Sequence, residues 1–366
     1  MNIERIEAIP LSVPFSSRSD MPAWRGRDYG ALEALLIRVE TRDGITGWGE
    51  AFSYNCQAPV KSAVDTMLAP LFVGRDSRNI NGLSHEVQKL MHLYGRSGIL
   101  NFALSGIDIA LWDIAAKRAN MPMVDLLGGM VRPAVDGYAS LFRFGDPQRV
   151  ARAAADATAE GFRRVKVHTR DLEDVRSTRA ALGSEATFMV DTNCAWSVSE
   201  AFDMARKMRE FDVKWLEEPL YPPEDFETLA RIGRQTGMPL ALGENACTSH
   251  EFQKILASGA AAYVQPSVTK VGGISEFRKV IALAEAKGAT LAPHSPYYGP
   301  GFLATLHLIA SQPEPCFIEY FNIGLEGRPY GDRMEPHEGA FAVPRTPGLG
   351  FDPDPVYLAQ FAVKAA

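Results

Sequence analysis

From Val135 onward the sequence repeats one pattern. A short apolar, β-branched run ends in a polar residue, and an amphipathic stretch rich in Ala, Glu, Arg and Leu follows. The runs are VDGYAS, RVKVH, FMVDTN, KWLEEP, LALGEN, YVQPS, TLAPHS and FIEYF. The polar residues Lys166, Asp191, Glu217, Glu244, Ser267, His294 and Glu319 follow one another at intervals of 23 to 27 residues. A strand, a short loop, a helix and a return loop need about that length. Parallel strands joined in this way must cross over, and eight of them close a barrel. The segment after the last run (GLEGRPYGDRMEPHEG) is rich in Gly and Pro and is not helical. The expected fold is therefore α/β, a modified TIM barrel of (β/α)7β form over residues 131–329.

The first 130 residues read differently. Ile3 to Val13 alternates as a strand does, Ala34 to Glu40 is a second strand, Arg42-Asp43-Gly44 a turn, and Ile45 to Glu50 a third. Between the first two strands lies a polar, aromatic loop from Phe15 to Tyr29. Helices are expected over Pro59–Leu71, Leu83–Leu93 and Leu100–Asn120, the last with Leu104, Ile107, Leu111 and Ile114 on one face. Gly128-Gly129 marks the end of this small α+β domain.

Polar residues at the C-terminal ends of barrel strands all point to one mouth, where barrel enzymes keep their chemistry. Any single one of them could instead cap the helix that follows it. Asp191, Glu217 and Glu244 end three successive strands, and three carboxylates converging in a dry barrel repel one another unless a cation lies between them. Oxygen ligands without His or Cys favour a hard cation, Mg²⁺ or Mn²⁺.

VDTN, WLEEP and LGEN, at these spacings, resemble the three metal-ligand motifs of the enolase superfamily. ALSGIDIALWDIAAKRANMPMVDLLGG resembles the end of that superfamily's capping domain, so the resemblance covers nearly the whole chain. With a His ending the seventh run, the chain is similar to the mandelate racemase subgroup of the mandelate racemase and muconate lactonizing enzymes. The resemblance implies that residues 1–130 form a cap, completed by residues 330–366 packing back on it. It also implies one Mg²⁺ per chain, a small carboxylic acid as substrate, an enediolate intermediate, and a specificity loop supplied by the cap. Glu217 matches the ligand position in WLEEP and Glu218 a position behind it, although either acid could bind.

Where the family usually has Lys-x-Lys on the second strand, this chain has Lys166-Val167-His168, and period-2 alternation puts Lys166 and His168 on one face. Lys166 matches the lysine near the substrate carboxylate, and His168 takes the place of the usual base. An imidazole is better poised than an ordinary lysine at neutral pH, unless His168 only packs or binds. On the opposite side the subgroup pairs a histidine with an aspartate. His294 matches the histidine, but Ser267 stands at the aspartate position. A serine does not stabilise an imidazolium as a carboxylate does, so His294 is expected to be a proton donor or an orienting group. Glu319 matches a position that hydrogen-bonds a carboxylate oxygen, as a protonated acid in some relatives. Trp24, Arg25 and Arg27 could close over the substrate, Tyr54, Tyr297 and Tyr298 could line the pocket with Ser267, and Lys270 reads as structural.

A racemase needs two competent bases, and the break at Ser267 counts against one. Dehydration of a sugar acid or related hydroxy acid is the favoured reading, ahead of racemisation, epimerisation or cycloisomerisation. A non-catalytic carboxylate-binding barrel is the rival from another class. A net charge of -6 without a basic stripe argues against nucleic acid. Scattered cysteines (Cys56, Cys194, Cys247, Cys316) suggest a reduced, cytoplasmic protein, and an acidic N-terminus lacks a signal peptide. No run of about 18 apolar residues suggests a membrane span. A homo-oligomer is expected.

Overall fold

In the computed structural model, residues 1–16 and 30–363 are described; Trp24, Arg25 and Arg27 lie outside the described residues. The alternating N-terminal segments form β1 (Ile3–Ser16), β2 (Ala31–Thr41) and β3 (Thr46–Ala51). They make an antiparallel meander, with Leu11 opposite Ala34 and Ile37 opposite Gly49. Gly44 completes the turn between β2 and β3 at φ +83, a conformation that a side chain disfavours. The helix expected over Pro59–Leu71 is present, but a π-turn at Ala63–Leu68 interrupts it.

The long helix Ile99–Arg118 is apolar on all sides because it is covered on all sides. By length and composition it could cross a membrane, but 78% of its apolar window is buried inside the protein, as in a core helix. On one side it meets β3 backbone to backbone. A Cβ on Gly49 would lie 1.9 Å from the Gly106 carbonyl oxygen, so only glycine fits there. Two buried carboxylates project from this helix. Asp108 accepts from the Ser275 amide (3.0 Å) and the Ser84 hydroxyl (3.1 Å). Asp113 accepts from the amides of Trp48 (2.9 Å) and Leu349 (2.8 Å) and pairs with Lys117 (2.8 Å). The helix thus joins the N-terminal sheet, the barrel and the C-terminal segment.

The periodic segments form eight parallel strands: β4 (Ala134–Leu141), β5 (Arg164–His168), β6 (Thr187–Asp191), β7 (Val213–Glu217), β8 (Leu240–Leu242), β9 (Tyr263–Val264), β10 (Thr290–Leu291) and β11 (Ile318–Phe321). Their spatial order is β10-β9-β8-β7-β6-β5-β4-β11. Between β10 and β11 no ladder forms among the described residues. That seam is bridged by Ser295, whose amide donates to the Glu319 carboxylate (3.1 Å) and whose hydroxyl donates to the Glu319 carbonyl (3.0 Å). The Cys316 thiol adds a bond to the Leu291 carbonyl (3.1 Å). A helix follows each strand from β4 to β10, and none follows β11 directly, as the sequence pattern implies.

The chain beyond β11 divides its contacts. Gly324–Leu325 (β12) adds to the free edge of β1, and Ala340–Ala342 (β13) pairs antiparallel with β4. Tyr357 and Phe361 of the last helix pack against Leu11, Val13, Leu36 and Trp48 of the N-terminal sheet. Only part of the tail expected to return to the cap therefore does so.

Replacing Asp113 with Ala strands the buried amides of Trp48 and Leu349, while Lys117 keeps the Asp352 carboxylate and the Thr46 carbonyl. A loss of about 2–4 kcal/mol is expected, read as a lower urea midpoint with an unchanged slope.

Candidate active site

Strand register brings the acids together. In the β5–β6 pair His168 lies opposite Asp191, and in the β6–β7 pair Asp191 lies opposite Glu217. Three neighbouring strands therefore end at one height with these side chains. Glu244 follows β8 by two residues, and one carboxylate oxygen each from Asp191, Glu217 and Glu244 lies within 4.8 Å of the others. The neighbouring Glu218 takes φ +39 and turns away to accept from the Gly243 amide at 2.8 Å. Geometry thus separates the two adjacent acids that the sequence left open.

Lys166 is fully buried at the floor of this group. Its Nζ lies 2.7 Å from Glu217, 2.8 Å from Glu319 and 3.6 Å from Asp191. Burial alone would lower its pKa, but Glu217 and Glu319 outweigh that and hold it well above the ordinary lysine value. Glu319 is likewise held ionised: burial is outweighed by Lys166 and His294, and its pKa falls to about 2. Asp191 is buried, yet His168 and Lys166 hold it below the carboxylate range, and the Asn193 amide (2.8 Å) and side chain (3.0 Å) brace it. Glu244 is pushed up to about 8, first by burial and then by the Asp191 charge. One ammonium is too little for four buried acids.

The two histidines differ in their supports. His168 Nδ1 lies 2.6 Å from the Leu141 carbonyl, which can only accept, so Nδ1 carries a hydrogen. The nitrogen that gains or loses a proton is then Nε2, which lies 3.1 Å from Asp191. His294 Nε2 lies 3.3 Å from Glu244, while its Nδ1 lies 3.4 Å from the Tyr297 hydroxyl. That hydroxyl in turn bonds Ser267. Behind His294 there is thus a relay of hydroxyls where the subgroup has a carboxylate. Burial lowers the His294 pKa to about 3.

An open cavity of about 910 Å³ lies between the N-terminal sheet and the barrel mouth. His168, His294, Glu244, Glu319 and Tyr54 line it. Ser267 and Tyr297, expected against the substrate, are instead buried behind His294, because their hydroxyls are spent on each other. Tyr298 is also absent from the cavity wall; its hydroxyl bonds the Phe321 carbonyl. The sequence reading missed Arg143, Glu33, Asn193 and Asn245, and Lys270, read as structural, lines the cavity too. Asn193 and Asn245 stood in motifs, as the last residues of VDTN and LGEN; Arg143 and Glu33 did not.

The fold agrees with that of the relatives of this chain. Residues 30–128 match the mandelate racemase / muconate lactonizing enzyme N-terminal domain, and residues 149–357 match the enolase C-terminal domain-like family. The chain belongs to this family of enolase-superfamily enzymes. It is 33% identical over 370 residues to the 3,6-anhydro-alpha-L-galactonate cycloisomerase of Streptomyces coelicolor, with 99% of each chain covered. It is 30% identical over 343 residues to the arabinonate dehydratase of Saccharolobus solfataricus, with 91% of each covered. A crystal structure of a racemase from Streptomyces coelicolor A3(2) with bound magnesium superposes with a TM-score of 0.86 at 30% identity, over 99% of this chain and all of that one.

The raised Glu244 has a measurable consequence. A carboxyl whose folded pKa rises from 4.5 to about 8 favours the folded state at low pH and loses that advantage as pH climbs through 8. In chelator-treated protein, Glu244→Gln should therefore stabilise little at pH 5 and most above pH 8. Urea midpoints across that range measure the difference.

Proposed function

We propose that this enzyme removes the proton α to the carboxylate of an acid sugar and then breaks a carbon–oxygen bond at the next carbon. The outcome is dehydration, or cycloisomerisation when the oxygen belongs to a ring. The cycloisomerase and dehydratase relatives support this substrate class. The observation that carries the reading is the unequal pair of histidines facing one cavity beside the acid triad.

The donor set fits magnesium: Asp191, Glu217 and Glu244 converge with oxygen atoms only, and Lys166 neutralises just part of their charge. Bound there, the ion would supply Lewis-acid stabilisation of charge that builds on the substrate carboxylate. Lys166 adds a fixed positive charge at the floor, and Glu319, anchored by Lys166 and the Ser295 amide, presents a hydrogen-bond acceptor beside it. His168 takes the α-proton at Nε2. Its Nδ1 bond to Leu141 holds the ring in the tautomer that this requires.

His294 lies across the cavity and is a weaker base, because a hydroxyl stabilises an imidazolium less than a carboxylate does. One strong base serves elimination; racemisation needs one on each face. An aspartate at position 267 would meet the Tyr297 hydroxyl before it met His294. Changing Ser267 alone therefore does not rebuild the subgroup's dyad.

The test is incubation in D₂O with Mg²⁺ and a panel of acid sugars that includes arabinonate and 3,6-anhydro-L-galactonate. Deuterium at the α-carbon or formation of a keto acid is expected with the wild type. His168→Asn should lower both by about 10²-fold or more while leaving Mg²⁺ binding intact. Wild-type exchange in that variant removes His168 as the base, and no exchange with any acid of the panel removes the reading.

A further inference from the structure

Lys270 stands apart from every other charged group at the site. It is only 7% exposed, yet it lines the cavity with His294 and Glu244. Its Nζ sits 4.7 Å from the centre of the Phe52 ring and 5.8 Å from that of Phe102, both from the N-terminal domain. Among the described residues, no side-chain hydrogen bond or ion pair forms at this ammonium, whereas Lys166 spends itself on three carboxylates. The backbone of Lys270 is held tightly: its amide donates to the Ser267 carbonyl (2.9 Å), and its carbonyl accepts from the Asn101 side chain (2.8 Å). Ring faces replace part of the lost hydration, but they accept none of the three N–H donors as an oxygen would. A buried ammonium fixed in place, with its donors unspent and a cavity in front of it, is built to meet an oxygen of a ligand.

We propose that Lys270 is a further catalytic residue, the proton donor to the oxygen that leaves the carbon β to the carboxylate. This rests on the elimination chemistry proposed above. The substrate carboxylate is accounted for by Lys166 and the cation that the acid triad would hold, and the α-proton by His168. What remains is the leaving oxygen. As the α-carbon's electron pair forms the new double bond, the β-carbon–oxygen bond breaks and its pair stays on oxygen. The Lys270 ammonium gives that oxygen a proton, so it departs as water, or as a hydroxyl group when the broken bond closed a ring. The resulting enol becomes the keto acid, and the neutral amine regains its proton from solvent. His294 also lines the cavity, but its Nε2 already faces Glu244 at 3.3 Å. Arg143 lines the cavity as a second cation, but it donates to the Asn193 side chain (3.0 Å), and a guanidinium does not give up its proton at neutral pH.

The test uses Lys270→Met and Lys270→Arg in the full-length enzyme with Mg²⁺. The substrate is the acid sugar of the D₂O panel that the wild type exchanges, beside its analogue with fluorine in place of the β-hydroxyl. Fluoride leaves without needing a proton. Both variants should form keto acid from the hydroxy substrate about 10²-fold more slowly or worse. They should still exchange the α-proton within a few-fold of wild type, and should eliminate fluoride at near wild-type rates. Arginine keeps the charge but does not give up its proton at neutral pH, so it provides the same readout if the methionine variant does not fold. Loss of exchange together with elimination would place Lys270 in binding or in the first step. Unchanged dehydration would return it to a structural role. Either result overturns the proposal, and wild-type enzyme that exchanges none of the panel overturns the function reading on which it rests.

Discussion

Repulsion among buried carboxylates is the constraint around which the barrel mouth is organised. Asp191, Glu217 and Glu244 converge within 4.8 Å, and Glu319 joins them through Lys166. A single ammonium cannot neutralise four acids in a medium of low dielectric, so the protein alone leaves charge uncompensated. The pKa values divide accordingly, with Asp191 and Glu319 held ionised and Glu244 driven up to about 8. An arrangement this costly persists because the strand ladder imposes it: the register that pairs His168 with Asp191 and Asp191 with Glu217 leaves the side chains no other height. A divalent cation held there would relieve the repulsion, and the same electrostatics would stabilise charge that builds on a substrate carboxylate.

The second requirement is a fixed distance between the two domains, since both line the cavity. The helix Ile99–Arg118 supplies it. Asp108 and Trp112 bind the start of the barrel helix Gly273–Lys287 through Ser275, and Asn101 binds the carbonyls of Cys247 and Lys270. Glu50, from β3, accepts from the Gly301 amide at the start of Pro300–Ala310. Burial raises the Glu50 pKa to about 7, so this joint exists at the expense of a desolvated carboxyl. Phe52 and Tyr54, a few residues beyond Glu50, are thereby set against Lys270 and the Pro296 carbonyl.

Much of this was legible in the sequence, for a physical reason. A parallel barrel must alternate strand and helix at a nearly constant length, and residues at strand ends must share a face, so the interval between Asp191, Glu217 and Glu244 already implied their convergence. Lys166 and His168 were legible through period-2 alternation. Contacts made by loops were not. Nothing in HSPYYGP says that Tyr297 turns back toward Ser267 and His294, because loop backbone carries no period. Glu217 and Glu218 are equivalent by composition and are separated only by the left-handed turn at Glu218. Lys270 looked structural because its exposure to a cavity depends on aromatic residues more than 160 positions earlier in the chain. The apolar character of Ile99–Arg118 was masked by Asp108 and Asp113, whose charges are consumed by buried amides.

Anomalous diffraction from a crystal soaked in Mn²⁺, a hard cation with an anomalous signal, tests the central claim most directly. One peak is expected, bonded to an oxygen from each of Asp191, Glu217 and Glu244, with Glu218 still turned toward Gly243. A peak elsewhere, or no peak among these carboxylates at saturating metal, would contradict it.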